Sequence, residues 1–445
     1  MDKIINKIFK YPFSNVHINE IFNGSSVAFI YRILGLMGAY VFAFIVCRYY
    51  GANSMGIYSL SLSVLIVLEM LGTVGFGNSV LRFIGQLSAE SNLGATKQLY
   101  KNMLEIIVPV SVFLAASLYI LSPKISLLIF HNPDLVTALR LISFVAPAYV
   151  VNSVNTELIR GLKNIKFSEY LRSLHRPLFS IPGLFIVSLF TCGWHIPVIA
   201  MISATFGACM ISTVYVVKKI NSFSGNSVKE LSKTRLLSVS APMILTAFSF
   251  VVMENVNTIM LGAFSTVKNV AIYNVAARLS SLTSVILLAV STIAGPKFSE
   301  LYWSQKTEEL KKTISFSAKL IFWIAMPVLF IYLLFPGFFM GIFGKEFIAG
   351  KYALVILTLG QFVNASSGPV GIFLNMTGKQ RVFSNIVLTA AALNIILNYI
   401  LIPKYGINGV AVSTAISVSF WNVIAVWYVK TKTGIKTFYI PVLVN

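Results

Sequence analysis

The sequence predicts an all-α integral membrane protein: twelve transmembrane helices in two parallel six-helix repeats. Three observations carry this reading: the composition, the distribution of Lys and Arg along the chain, and an internal repeat. Of the 445 residues, 57% are hydrophobic and 11% charged, and the mean hydropathy is +0.81. Soluble proteins carry about 25% charged residues. The apolar runs continue for about 20 residues, the length a helix needs to cross a bilayer, whereas barrel strands alternate over about 10.

The first 24 residues, MDKIINKIFKYPFSNVHINEIFNG, are polar. This is longer than the charged start of a signal peptide, and no A-x-A-like cleavage site follows, so the first apolar run reads as a retained span. Twelve runs lie near 25–47, 57–81, 103–122, 135–158, 178–192, 195–217, 237–261, 270–294, 315–335, 351–375, 382–402 and 407–429. The fifth and sixth are separated only by FTCGWHIPV. The two ends and the loops after even-numbered spans hold 25 of the 35 Lys and Arg, the loops after odd-numbered spans 6. Basic residues collect on the cytoplasmic side, so both termini are expected there. The net charge of +21 has the same origin and does not call for nucleic acid.

The halves repeat at an offset of about 215 residues: GANSMGIY ends at Tyr58 and GAFSTVKNVAIY at Tyr273. Arg82-Phe83 matches Lys297-Phe298, Ala138-Leu139 matches Ala353-Leu354, and Phe167-Ser168 matches Phe383-Ser384. Six spans per half give both halves one orientation, related by an axis along the membrane normal, with the substrate path between them. The expected organisation is a cytoplasmic N-terminal segment (1–24), a first six-helix lobe (25–217), a cytoplasmic linker (218–236), a second lobe (237–429) and a cytoplasmic tail (430–445).

Several function classes are excluded. No G-x-x-x-x-G-K-[ST] phosphate loop is present, and Gly75-Phe76-Gly77 reads as close helix packing. There are two Asp and four His with no metal-ligand spacing, and the outer loops, at most about 15 residues long, cannot build a catalytic domain. The protein is therefore not read as an enzyme, and no cofactor or metal is expected. Cys47, Cys192 and Cys209 lie in or beside apolar runs without C-x-x-C spacing and read as ordinary helix residues.

The charges inside spans are the informative residues: Arg32, Arg140, Arg278 and Lys319, with the acids Glu69 and Glu254 and, at an inner helix end, Glu157. Each Lys or Arg at a helix centre costs about 2.5–3.5 kcal/mol, so four facing lipid would cost up to roughly 10–14 kcal/mol. Most must face a watery cavity or a partner. Arg278 lies eight residues, about 12 Å, into its span, and shares a face with Asn274 and Ser281. Glu254, Asn257 and Thr258 form a second polar face, while Asn152 with Asn155 and Asn394 with Asn398 add amide stripes. Guanidinium binds phosphate bidentately and amides bond sugar hydroxyls, so an anionic head group carrying sugars suits this set. Arg278 either lies in such a path or pairs with Glu254 or Glu69. Lys319 can snorkel to the cytoplasmic interface, and Arg140 starts about 8 Å below the outer surface. Glu69 and Glu254 are candidates for carrying a proton or coupling cation, or for neutralising an arginine.

The motifs RYYGANSMGIYSLSLSVL, LGTVGFGNSVLRFIG, NTIMLGAFSTVKNVAIYNVAARL, GPKFSEL and LNYILIPKYGINGVAVSTA resemble those of the polysaccharide transport proteins within the multidrug/oligosaccharidyl-lipid/polysaccharide (MATE-like) exporter superfamily. The likeness runs from about residue 25 to 430 and is greatest to flippases of O-antigen and capsule pathways. It implies a V-shaped pair of six-helix lobes in the bacterial cytoplasmic (inner) membrane, with a cationic central cavity. It further implies turning an undecaprenyl-pyrophosphate-linked oligosaccharide from inner to outer leaflet, driven by an H+ or Na+ gradient. Its partners would be that anionic lipid-linked substrate, membrane lipid, and other polysaccharide-assembly membrane proteins. On this reading Arg32, Arg278, Arg140, Asn274, Asn152 and Asn155 bind substrate, and Glu254, Glu69 and Asn257 couple the ion. The chain departs from the pattern at Asn257, where the family often has Asp in D-x-x-M-L-G, and at Ala271, where Gly often precedes I-Y; Gly56 keeps the glycine in the first half. The first departure shifts suspicion towards Glu254. The run from Pro403 to Gly409 reads as a tight turn between spans 11 and 12. A drug or organic-cation antiporter is the alternative; an O-antigen polymerase or ligase would need a large outer loop, and a lipid II flippase further helices.

Overall fold

The computed structural model describes residues 16–90, 92–223 and 232–441. Most of the N-terminal segment, the middle of the linker and the last four residues of the tail lie outside the described residues. The described chain is all α: α1 Val16–Ile45, α2 Gly51–Gly72, α3 Phe76–Ala89, α4 Thr96–Lys124, α5 Asp134–Gly161, α6 Ile165–Glu169, α7 His175–Ser188, α8 Ile196–Asn221, α9 Lys233–Phe264, α10 Val267–Trp303, α11 Thr307–Leu334, α12 Pro336–Ile342, α13 Lys351–Ser366, α14 Val370–Met376 and α15 Gln380–Thr433. Among the described residues, eight stretches are long and apolar enough to cross a membrane. Two of them turn back on themselves, and the predicted runs near 178–192 and 237–261 fall in α7 and α9, outside that set of eight.

Glycine makes both reversals. After a π-turn at Val46–Tyr50 the chain turns at Gly51 (φ +80°). Consequently the Phe42 and Tyr58 rings lie 5.0 Å apart, where sixteen residues of straight helix would span about 24 Å. In α15 the break is at Gly406 (φ 53°, ψ −124°), three residues after Pro403, as the sequence predicts. A Cβ at Gly409 would sit 2.3 Å from the Leu401 carbonyl oxygen, so only glycine lets the returning helix start so close. The run near 57–81 is not one helix: it breaks at Thr73–Gly75, where Val74 (φ 49°) and Gly75 (φ 79°) are left-handed, a conformation a β-branched residue rarely adopts.

One end of the bundle, the basic end, carries the turns bearing Lys163, Lys306 and Lys379. A seam joins the first half of the chain to the second, α2 and α3 packing antiparallel to α9, and α2 running alongside the start of α10 in the same direction. Away from the basic end, Gly56 abuts Val267, whose carbonyl oxygen would lie 2.0 Å from a Cβ there, and Leu60 fills the space at Gly262. Towards the basic end, a Cβ at Gly75 would lie 2.1 Å from the Ser240 oxygen. Ser79 Oγ and Ser240 Oγ are hydrogen-bonded at 2.6 Å, and Lys233 Nζ meets Glu105 at 2.6 Å. The largest apolar cluster spans this seam, with Met55, Leu60 and Leu139 from one half and Leu261, Val270 and Phe347 from the other. Since lipid is as apolar as Leu, such contacts are held by close van der Waals packing, which small residues permit.

The sequence assigns both Gly75 and Gly77 to close packing; the structure gives that role to Gly75 alone, because a Cβ at Gly77 meets nothing within 4 Å. Gly56→Ala and Gly75→Ala are each expected to lower the unfolding temperature of the detergent-solubilised protein, at roughly 1–3 kcal/mol. Gly77→Ala should be neutral or stabilising by up to about 1 kcal/mol. Thermal unfolding of the three variants separates them, and identical behaviour at positions 75 and 77 would contradict the seam.

Candidate functional site

The polar residues gather in two places. In the first half they line the helix running from 165 to 188, composed of α6, a π-turn at Tyr170–Leu174, and α7. The sequence reading starts the apolar run only near 178; the backbone is instead helical from 165. Pro177 has no N–H to give the Ser173 carbonyl in an α-turn, and the π-turn ends three residues before it. The Ser173 carbonyl faces α1, where a Cβ at Gly35 would come within 2.4 Å of its oxygen.

This helix carries arginines deep into the bundle. His175 Nε2 lies 2.9 Å from the Ala204 carbonyl oxygen, and Ala204 is eight residues, about 12 Å, inside the end of α8 opposite the basic end. Next to His175, Arg176 donates to the Tyr149 hydroxyl at 2.5 Å, its guanidinium 5.4 Å from that ring's centroid. Glu69 accepts from Ser153 Oγ at 2.5 Å and lies within electrostatic reach of Arg176 and Arg172, with no direct ion pair to either. Nearer the basic end, Arg172 pairs with Glu157, which Arg160 also approaches at 3.6 Å. Arg32 on α1 donates through Nε and Nη2 to the two oxygens of Glu169, both at 3.1 Å. Glu169 is 2% exposed and the Arg32 side chain 38%.

The second place is where α10 meets α1. Arg278 is half-buried, eleven residues along α10. Its Nη1 donates to the Ala39 carbonyl at 3.4 Å, while its own carbonyl accepts from Tyr40 and Ser281. It reaches neither Glu254 nor Glu69. Asn274 Oδ1 accepts from Thr258 at 3.2 Å, linking α9 and α10. Asn398 Nδ2 donates to Asn257 at 2.8 Å and to Asn394 at 3.1 Å, so three predicted amides form one chain. Glu254 is exposed on α9 and has no hydrogen-bond or ion-pair partner among the described residues.

Three predicted residues lie apart. Arg140 is exposed over the Tyr119 ring at 5.2 Å, beside the exposed Phe144 and Ile120. Asn155 is fully buried and donates to Ser212 and Thr213, tying α5 to α8. Asn152, on the same helix, has a buried Oδ1 without a partner. The residues that sequence reasoning missed are Arg172, Arg176 and Tyr149. The signal that could have found them is the i,i+4 spacing of Arg172 and Arg176, had Pro177 been placed in the first turn of a helix segment, where proline is tolerated.

Residues 21–302 match the family described as polysaccharide biosynthesis protein. The chain belongs to this family. Residues 242–400 also match the MatE family. As a member of the polysaccharide biosynthesis protein family it resembles the probable low-salt glycan biosynthesis flippase Agl15 of Haloferax volcanii, 31% identical over 40% of this chain and 38% of that protein. The match thus spans well under half of Agl15. A putative O-antigen transporter of Shigella flexneri is 23% identical over 85% of this chain and 90% of its own length. Among solved structures, the inward closed conformation of the lipid II flippase MurJ superposes with a TM-score of 0.75 at 15% identity, covering 92% of this chain and 87% of that one. The fold is MATE-like, and the family links this multi-pass membrane protein to polysaccharide biosynthesis.

Removing Arg32 would leave the buried Glu169 carboxylate unpaired, which costs more than the pair itself contributes. Arg32→Ala is expected to destabilise the protein by roughly 1–3 kcal/mol, the partial exposure of Arg32 holding the figure down. Arg32→Ala/Glu169→Gln should recover part of that loss. A double-mutant cycle on thermal unfolding measures the coupling; additive effects would place Arg32 outside the pair.

Proposed function

We propose that this protein is a transporter, a flippase that carries an undecaprenyl-pyrophosphate-linked oligosaccharide, an O-antigen or capsule repeat unit, from the inner to the outer leaflet of a bacterial cytoplasmic membrane. The observation that carries the reading is Arg278: a guanidinium well inside the bundle, where the halves meet, bonded only to a backbone carbonyl. The other deep arginine, Arg176, meets a phenol rather than a carboxylate. Two guanidinium groups without direct counter-ions suit a pyrophosphate, which each can bind through paired N–H donors. Arg32, by contrast, is engaged by Glu169 at the entry to this region.

On this proposal twelve helices cross the membrane, both termini are cytoplasmic, and residues 25–217 and 237–429 act as two lobes. The ten crossings contained in the eight apolar stretches, together with the α6–α7 helix and α9, support that count. The charged head group enters between the lobes while the polyprenyl tail stays in lipid, and one lobe rocks against the other. The unpartnered amide oxygen of Asn152 and the Asn274 amide are positioned for sugar hydroxyls. Glu254 is the carboxylate left free to take a proton or Na+, since Asn257 is committed to Asn398.

The test is translocation of an undecaprenyl-pyrophosphate oligosaccharide by the protein in liposomes, with ethidium transport measured in the same vesicles. Lipid translocation without ethidium transport is expected; the reverse would make the protein an organic-cation antiporter. Charge-assisted hydrogen bonds contribute about 1.5–3 kcal/mol each, so Arg278→Ala and Arg176→Ala should each slow translocation at least about tenfold. Arg278→Lys should restore part of the rate with insertion unchanged. Full transport by Arg278→Ala would refute its assignment. Glu254→Gln should lower the rate under an ion gradient and leave gradient-free exchange intact.

A further inference from the structure

A mostly enclosed polar cleft of about 180 Å³ lies at the basic end of the second half, away from the arginines and from Glu254. Its walls are Tyr302 from the end of α10, Thr377 and Lys379 from the end of α14, and Tyr428, Lys432 and Thr433 from the end of α15. No carboxylate lines it. Neither lysine has an ion-pair partner among the described residues, and the same holds for hydrogen bonds to the two tyrosine hydroxyls. Both threonine hydroxyls already donate to carbonyls, of Phe373 and Val429, so the available donors are two ammonium groups and two phenols.

The backbone holds both lysines in place. Lys379 follows Gly378 (φ +77°), and its N–H donates to the Leu374 carbonyl at 2.9 Å, closing α14 with a Schellman turn. Lys432 is in the last turn of α15, which ends at Gly434 (φ +67°) with its N–H on the Lys430 carbonyl at 3.0 Å. Cations are stabilising at helix C-termini, which accounts for a lysine at each cap. It does not account for two lysines, both reaching solvent, on the wall of one cleft without an acceptor between them. Like charges so placed repel, and an anion between them reverses the sign of that interaction. The cleft lies at the level of exposed Trp303 and Trp427, residues that collect where a membrane meets water. Basic pockets between helix ends on the cytoplasmic side hold lipid phosphates.

We propose that this cleft binds a phosphate group, with Lys379 and Lys432 as its cationic ligands and Tyr302 and Tyr428 as hydroxyl donors. The group can come from an anionic phospholipid or from a soluble phosphate. The experiment uses full-length, delipidated protein in detergent at constant ionic strength. Its unfolding temperature is measured with phosphatidylglycerol, with inorganic phosphate, and with chloride as control. Phosphatidylglycerol is expected to raise it by about 2 °C or more, and the shift should vanish in Lys379→Gln/Lys432→Gln. A shift with phosphatidylglycerol alone assigns the lipid head group, and one with inorganic phosphate assigns the soluble anion. Lys430→Gln/Lys436→Gln, which alters exposed lysines outside the cleft, should keep the shift. The proposal is overturned if neither ligand shifts wild type. It is overturned equally if the cleft variant shifts as wild type does, or if both double variants lose the shift alike.

Discussion

Inside a bilayer no water is available to solvate a charge or an unpaired amide, so every polar group there must be met by the protein or by what the protein carries. The two halves of this chain meet that demand differently. The first half uses ion pairs, setting Arg32 against Glu169 and Arg172 against Glu157, beside a neutral link from Asn155 to Ser212 and Thr213. The second uses neutral chains, from Asn257 through Asn398 to Asn394, and from Thr258 to Asn274. Among the described residues, Arg278 meets only a backbone carbonyl and Glu254 has no polar partner, which is why the proposed function turns on these two.

The helices were legible because bilayer thickness imposes a length and hydropathy on each one. The turn at Gly406 was legible because Pro and Gly fall within four positions of one another. The placement of Arg278 among Asn274 and Ser281 followed from helical spacing. What spacing cannot convey is partnership across the chain. The Arg32–Glu169 pair joins residues 137 apart, a distance that no helical spacing announces. Glu169 itself was hidden in the stretch between two apolar runs.

Local backbone departures were equally silent. The π-turn before Pro177 and the left-handed pair Val74–Gly75 leave no periodic signature, because each alters the chain over only a few residues. Gly75 and Gly77 look alike in sequence, yet Gly75 is a left-handed residue against the Ser240 carbonyl and Gly77 a helical one with nothing within 4 Å of a Cβ. In both cases tertiary contact decides the role.

The seam between α2–α3 and α9–α10 has a kinematic consequence. Its two tightest points, at Gly56 and Gly75, are about 28 Å apart along the helix direction, and at both a glycine lies against a backbone carbonyl. Side chains can absorb sliding by changing rotamer; a carbonyl lodged against a glycine cannot, and neighbouring residues have a Cβ that blocks translation. Shear along the seam is thereby disfavoured, while rotation about the line through the two points keeps both contacts. The glycines turn a packed interface into an axle with one soft degree of freedom.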